Sequence, residues 1–212
     1  MSSSPIPATV FASAIAEHLD VVHQLQNQIS VLQAIALAMA ASLRAGGTIL
    51  WCGNGGSAGD SQHLAAEIVG RFRRERRALP SIALTTNTSI LTAIANDYGY
   101  DRVFSRQIEA LGNPGDLLVG ISTSGNSQSV LTALERARAL GITTVAFAGS
   151  VAGPMAAHAD HLFAVASRDT ARIQEAHILA GHMLCDWIEL DWIYAQSETG
   201  LDAEPASAAV LQ

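Results

Sequence analysis

From about residue 10 to residue 43, apolar positions recur at three- and four-residue spacing. Val21, Leu25, Ile29, Leu32, Ile35 and Met39 carry the stripe. That period predicts a long amphipathic N-terminal helix, ended by Gly46-Gly47. Its stripe needs a covering surface, either the rest of the same domain or a second copy of the chain. After residue 47 the pattern changes to short, nearly continuous apolar runs. These predict strands over Thr48–Cys52, Ser81–Leu84, Leu117–Ile121, Thr143–Ala148 and His161–Val165. Helical patterns fall between them, at about 57–72, 90–96, 104–111 and 127–140, with a last helix over about 170–195. Strand–helix alternation with apolar strands predicts an α/β fold: a doubly wound parallel five-stranded sheet flanked by helices, with a long N-terminal helical arm.

No repeat and no linker divides the chain. Residues 1–8 are rich in Ser and Pro and read as a flexible N-terminus, 9–196 as a single domain including the arm, and 197–212 as a flexible tail. The chain has 212 residues, 49% hydrophobic and 5% aromatic, a balance that suits helices on a parallel sheet better than a β-sandwich. No uninterrupted apolar run reaches about 18 residues, so no membrane span is expected. The two cysteines, Cys52 and Cys185, have no metal-ligand spacing. Cys52 ends the first strand and reads as a core thiol. With no signal-peptide pattern at the N-terminus, a reducing cytoplasm is the expected compartment.

The formal net charge of −7 argues against direct nucleic-acid binding by phosphate neutralisation. Positive charge is local: Arg71, Arg73, Arg74, Arg76 and Arg77 stand together. They read as a solvated or subunit-contact patch, or as the source of one arginine, Arg71 foremost, that turns toward an anionic ligand.

Two strand-to-helix junctions carry candidate chemistry. Cys52-Gly53-Asn54-Gly55-Gly56-Ser57 follows the first strand, and Ser122-Thr123-Ser124-Gly125-Asn126-Ser127 follows the third. In open α/β sheets, ligands gather at the carboxyl ends of strands, where helix N-termini attract anions. Glycine admits close backbone approach, and hydroxyls add donors without bulk. Turn formation or a helix cap explains the first loop equally well, whereas in the second four hydroxyls in six residues exceed what one cap requires. Neither loop reads G-x-G-x-x-G or ends in Gly-Lys-Ser/Thr, so no nucleotide cofactor is expected.

Two helices add polar groups. His63 and Glu67 are four apart and share a helix face, as a metal-binding pair, an acid–base pair or a surface pair. The last helix carries Gln174 and His182 eight apart, roughly 12 Å along the axis. One metal needs its donors within about 2.2 Å of itself, so a mononuclear site joining those two requires a bent helix or a second chain.

The stretches CGNGGSAGDSQHLAAEIVGRF, AIANDYGYDRVFSRQIEALG, GDLLVGISTSGNS and RIQEAHILAGHMLCDWIE resemble the phosphoheptose isomerase (sedoheptulose 7-phosphate isomerase) family of the sugar-isomerase (SIS) fold. The resemblance covers about residues 10–195. It implies a homotetramer with active sites at subunit interfaces. The implied reaction interconverts sedoheptulose 7-phosphate and glycero-manno-heptose 7-phosphate, the entry to the heptoses of surface polysaccharide. By that resemblance Asn54, Gly55 and Gly56 form the substrate-binding turn, Asn96 and Asp97 a contact pair, and Gln174 a substrate contact. Ser122, Thr123, Ser124 and Ser127 match the phosphate loop, and Glu67 and His182 the acid–base pair. Some members bind zinc through positions matching His63, Glu67, Gln174 and His182. A non-catalytic relative that binds the replication initiator DnaA is similar in LTAIAND and ARIQE…LCD, but lacks the histidine at the position of His182. An isomerase of the same fold acting on another sugar phosphate is the remaining reading.

Overall fold

The computed structural model describes residues 9–199. Residues 1–8 and 200–212, which hold the expected flexible N-terminus and most of the expected tail, lie outside the described residues. The arm is two helices, α1 (Thr9–Gln24) and α2 (Ile29–Arg44), joined by a 3₁₀ turn at Leu25–Gln28. The expected single helix is therefore interrupted. Leu25 and Leu32 are nevertheless both buried, so the apolar stripe continues across the break.

The remaining elements alternate: β1 (Ile49–Gly53), α3 (Gly56–Val69), β2 (Ser81–Ala83), α4 (Thr88–Tyr98), α5 (Ser105–Leu111), β3 (Leu117–Ser122), α6 (Gln128–Ala139), β4 (Thr143–Ala148), β5 (His161–Ala164) and α7 (Thr170–Thr199). The helix α7 runs beyond Ser197, where the tail was expected to begin. All five strands pair in parallel in the order β2-β1-β3-β4-β5.

Alternation along the strands builds two cores. Ile49, Trp51, Leu117, Val119 and Ile121 face a layer made by α2, α3 and α7. Leu50, Cys52 and Leu118 face the other side, against residues of α5 and α6. Cys52 is fully buried, as its place in the strand predicts, and burial pushes its thiol up to about 12. Within the first layer, α3 and α7 touch along their lengths: a Cβ on Gly181 would meet Leu64 Cδ1 at 2.5 Å. Only glycine lets the two helices approach this closely.

The strand order has one reversal of direction, between β1 and β3. The chain leaves β1 toward one edge and β3 toward the other. Loops at such a switch point diverge and open a crevice at the carboxyl ends of the strands. Gly53 pairs in register with Ile121 there, so the two candidate loops begin side by side.

Candidate active site

The two loops meet through Asn54. Its Nδ2 donates to Ser127 Oγ at 2.8 Å and to Ser129 Oγ at 3.0 Å. Its Oδ1 accepts from the Tyr100 hydroxyl at 2.7 Å. Ser127 stands at the N-cap position of α6, yet its hydroxyl makes no cap bond. The simple helix-cap reading of Ser127 is therefore not realised, because its side chain is turned to Asn54. Ser124 supports the loop from inside: its Oγ lies 3.4 Å from Ser122 Oγ and accepts from Asn126 N at 3.2 Å.

Between the loops lies a cleft of about 290 Å³. Asn54, Gly55, Gly56 and Ser57 line one wall, and Ser122, Thr123, Ser124 and Ser127 the other. Thr170 and Gln174, from the start of α7, close one side. A Cβ on Gly56 would meet Gln174 Nε2 at 2.4 Å, so Gly56 makes room for that amide. The result is a small crevice rich in hydroxyls and amides at two helix N-termini. Such a lining suits a phosphate, whose oxygens accept hydrogen bonds and whose charge the helix ends favour.

A second polar cluster lies farther along the same pair of helices. His63 Nε2 approaches His182 Nε2 at 2.9 Å and Glu67 Oε1 at 3.5 Å. The His182 ring stacks on Phe72, with centroids 5.3 Å apart and planes 21° apart. Partial burial pushes the His182 imidazole below its ordinary value; His63 and Arg73 add to this, and Glu67 opposes it. A neutral ring at pH 7 is suited to taking up and returning a proton.

The contacts Gly56–Gln174, Leu64–Gly181 and His63–His182 follow α3 and α7 in the same direction. The cleft therefore sits at the N-terminal ends of both helices and the imidazole cluster near their middle. Gln174 to His182 is roughly 12 Å along α7. Within one chain Gln174 lines the cleft, whereas His63, Glu67 and His182 form the cluster. Among the described residues, no group of three or more His, Cys, Asp or Glu side chains is arranged to hold a metal ion.

Asn96 and Asp97 do not line the cleft. They are exposed on α4, where Asn96 Nδ2 donates to Asp97 Oδ1 at 2.8 Å. Arg71 is likewise not at the cleft; its Nε pairs with Glu75 at 2.8 Å on the surface, four residues along the same segment. The other arginines are structural. Glu189, fully buried on α7, accepts from the backbone N–H groups of Phe72, Arg73 and Arg74 at 2.6, 2.8 and 3.0 Å. The buried Arg76 guanidinium lies 3.5 Å from Glu189 and donates to the Glu67 carbonyl at 2.9 Å. The arginine segment is thus strapped onto α7, which carries Phe72 to the His182 ring.

Sequence reasoning missed Tyr100, Thr170, Phe72 and Glu189. Tyr100 falls within the AIANDYGYDRVF stretch, but no spacing rule ties it to Asn54. A glutamate in an amphipathic helix gives no sign of burial until the segment that covers it is placed.

A family model described as the SIS domain matches residues 11–149. A phosphoheptose isomerase of Roseiflexus sp. (strain RS-1) is 56% identical over 165 residues, 78% of this chain and 84% of that protein. A phosphoheptose isomerase of Paramagnetospirillum magneticum (strain AMB-1) is 54% identical over 183 residues, 86% of this chain and 95% of that one. Among solved structures, phosphoheptose isomerase GmhA from Neisseria gonorrhoeae superposes with a TM-score of 0.81 at 44% identity, covering 85% of this chain and 97% of that one. At such identities, sustained over most of both chains, the protein belongs to the phosphoheptose isomerase family of SIS-domain proteins.

Proposed function

We propose that the protein is an aldose–ketose isomerase that converts sedoheptulose 7-phosphate to D-glycero-D-manno-heptose 7-phosphate through an enediol. The hydroxyl-lined cleft at the β1–β3 switch point carries this reading, together with family membership at 54–56% identity. The cleft takes the phosphate. Binding energy there, remote from the reacting carbons, orients C1 and C2 toward the acid–base groups.

The reaction moves a proton between C1 and C2, which requires a base at carbon and an acid near the two oxygens. Glu67 and His182 share this work. His63 lies against both and holds their relative positions. His182 and all four loop hydroxyls are present, which favours the enzyme over the non-catalytic initiator-binding reading.

The distance along α3 and α7 sets the assembly. A cleft and an acid–base cluster separated by roughly 12 Å on one chain are best joined into one site by a neighbouring copy. The protein then works as a homotetramer with sites at subunit boundaries. Phe11, Ile15 and Leu19 on α1 and Ile29 and Leu37 on α2 are exposed and supply apolar contact surface. Asn96 and Asp97 reach substrate from such a boundary as well. Zinc requires the same arrangement, with Gln174 brought to His63, Glu67 and His182 from another chain; the acid–base step is written without it. Among the described residues no helix is long and apolar enough to cross a membrane. Both cysteines are free and buried, which fits a reducing cytoplasm.

The direct test is to incubate the purified protein with sedoheptulose 7-phosphate and follow the aldose product by NMR. Appearance of the heptose aldose at an enzymatic rate supports the reading. No product above the uncatalysed background overturns it. For the shared site, His182→Ala is mixed with the double variant Ser122→Ala, Ser124→Ala. Activity regained on mixing and subunit exchange supports sites built from two chains, whereas none regained places each site within one chain.

A further inference from the structure

We infer that Tyr100 is a positioning residue for the phosphate cleft: its hydroxyl fixes which way the Asn54 amide points, and that orientation commits the Ser127 hydroxyl to donating toward the bound anion. The inference rests on the reading of the cleft as a phosphate site.

A side-chain amide has two N–H donors and one carbonyl acceptor. At Asn54 all of them are engaged: Oδ1 by Tyr100, and Nδ2 by Ser127 and Ser129. Each serine oxygen therefore accepts from the amide and keeps its own proton to give. Ser129 is buried, with its Oγ 3.3 Å from Ser127 Oγ, and its proton has Ser127 within reach. Ser127 lines the cleft, so its proton is the one left to point at a ligand. A phosphate dianion offers only acceptors, which makes a donating Ser127 the productive state.

Turning the amide over leaves its shape almost unchanged. The carbonyl would then accept from the serines, and Ser127 would present lone pairs to an anion. Packing alone does not separate the two orientations, because the oxygen and NH₂ ends are nearly the same size. Tyr100 separates them. A phenol donates more strongly than it accepts, since ring conjugation draws on the oxygen lone pairs, so the carbonyl end is held toward it. Tyr100 itself does not line the cleft, and more than half of its surface is exposed. Its ring is not needed for the core.

The test is Tyr100→Phe, which removes only the hydroxyl. Loss of one neutral hydrogen bond corresponds to about a five-fold effect. The KM for sedoheptulose 7-phosphate should rise about five-fold, with kcat within two-fold of the parent. Binding of inorganic phosphate, measured by calorimetry, should weaken by the same factor. Because Tyr100 acts through Asn54, Tyr100→Phe should have no further effect in an Asn54→Ala background. Unchanged phosphate binding in Tyr100→Phe overturns the inference, and so does a full additional loss in the Asn54→Ala background. The phosphate measurement needs no turnover. If the parent binds phosphate but fails to isomerise the heptulose, the assigned reaction fails while the role of Tyr100 is still decided.

Discussion

His63 and His182 stand 119 positions apart in the chain, yet their Nε2 atoms lie 2.9 Å from each other. One nitrogen must donate and the other accept, so the two rings share a single N–H between them. Glu67 Oε1 lies 3.5 Å from the same His63 nitrogen. A pair of proton-transfer groups joined in this way acts as a unit. Glu67→Gln and His182→Ala should each lower kcat by about 10²-fold or more, as expected for general acid–base groups. The double variant should be little worse than the poorer single variant. Steady-state kinetics on sedoheptulose 7-phosphate decides this, and near-parental turnover in both single variants removes the pair from the mechanism.

The cleft lies away from that cluster, so its variants should separate from those of the cluster in kinetics. Ser122→Ala combined with Ser124→Ala removes two hydroxyls from one wall. KM should rise by roughly tenfold or more, at about 1 kcal/mol per lost hydrogen bond, while kcat falls far less. Calorimetry with a sugar phosphate gives the same answer without turnover. Parental affinity in the double variant would place the phosphate elsewhere.

The strap between the arginine segment and α7 is a matter of stability first. Glu189→Ala leaves three backbone N–H groups without their acceptor and the buried Arg76 without its counter-charge. Breaking a buried charge pair by removing one partner costs about 3–5 kcal/mol. Denaturant unfolding should show a loss of that size, and a loss below about 1 kcal/mol would mean that water replaces the carboxylate.

A buried histidine and a half-buried aspartate pull stability in opposite directions with pH. His177 is fully buried, its Nε2 donates to the Ala148 carbonyl at 3.1 Å, and its Nδ1 has no partner among the described residues. Burial lowers its value from 6.5 to about 4. The unfolded chain therefore binds more protons between these values, and stability falls as pH drops from 6.5 toward 4, by about 3 kcal/mol in total. Asp60 is the reverse case. Burial raises its carboxyl from 3.8 to about 6, with His63 opposing, so the folded state binds more protons in that window and stability rises as pH drops. Asp60→Asn removes the opposing branch. Its stability should fall more steeply than the parent's between pH 6 and pH 4, by denaturant unfolding. Identical slopes would show that Asp60 is not buried enough to titrate abnormally.

Metal dependence has a clear outcome because Gln174 and His182 are separated within one chain. The protein as purified should carry zinc only if neighbouring chains complete the donor set. Elemental analysis on the intact assembly, followed by chelation and an activity measurement, separates the two cases. Full activity after complete metal removal makes the acid–base pair sufficient.

Much of the fold was legible in the residues. Apolar runs such as Leu117–Ile121 fixed the strands, because a strand buried on both faces must be apolar throughout. The break in the arm was not legible, since the apolar period passes straight through the 3₁₀ turn at Leu25–Gln28 and periodicity senses the face, not the backbone hydrogen bonds. The two loops stood out because glycine and hydroxyl residues at strand ends have few other uses. The direction of Arg71 was not legible, since charge in a sequence carries none; its side chain pairs with Glu75 on the surface.

By itself the sequence determined the periods, the strand-end loops and the chemical types at Glu67, His182 and Ser122–Ser127, because these depend only on neighbours a few residues away. The tertiary structure decided what lies together. The β2-β1-β3-β4-β5 order set the two loops side by side and let Asn54 join them to Tyr100. The close contact of α3 with α7 at Gly181 brought His182 to His63 and left Gln174 at the other end. Those pairings depend on packing between segments distant in the chain, which no local pattern encodes.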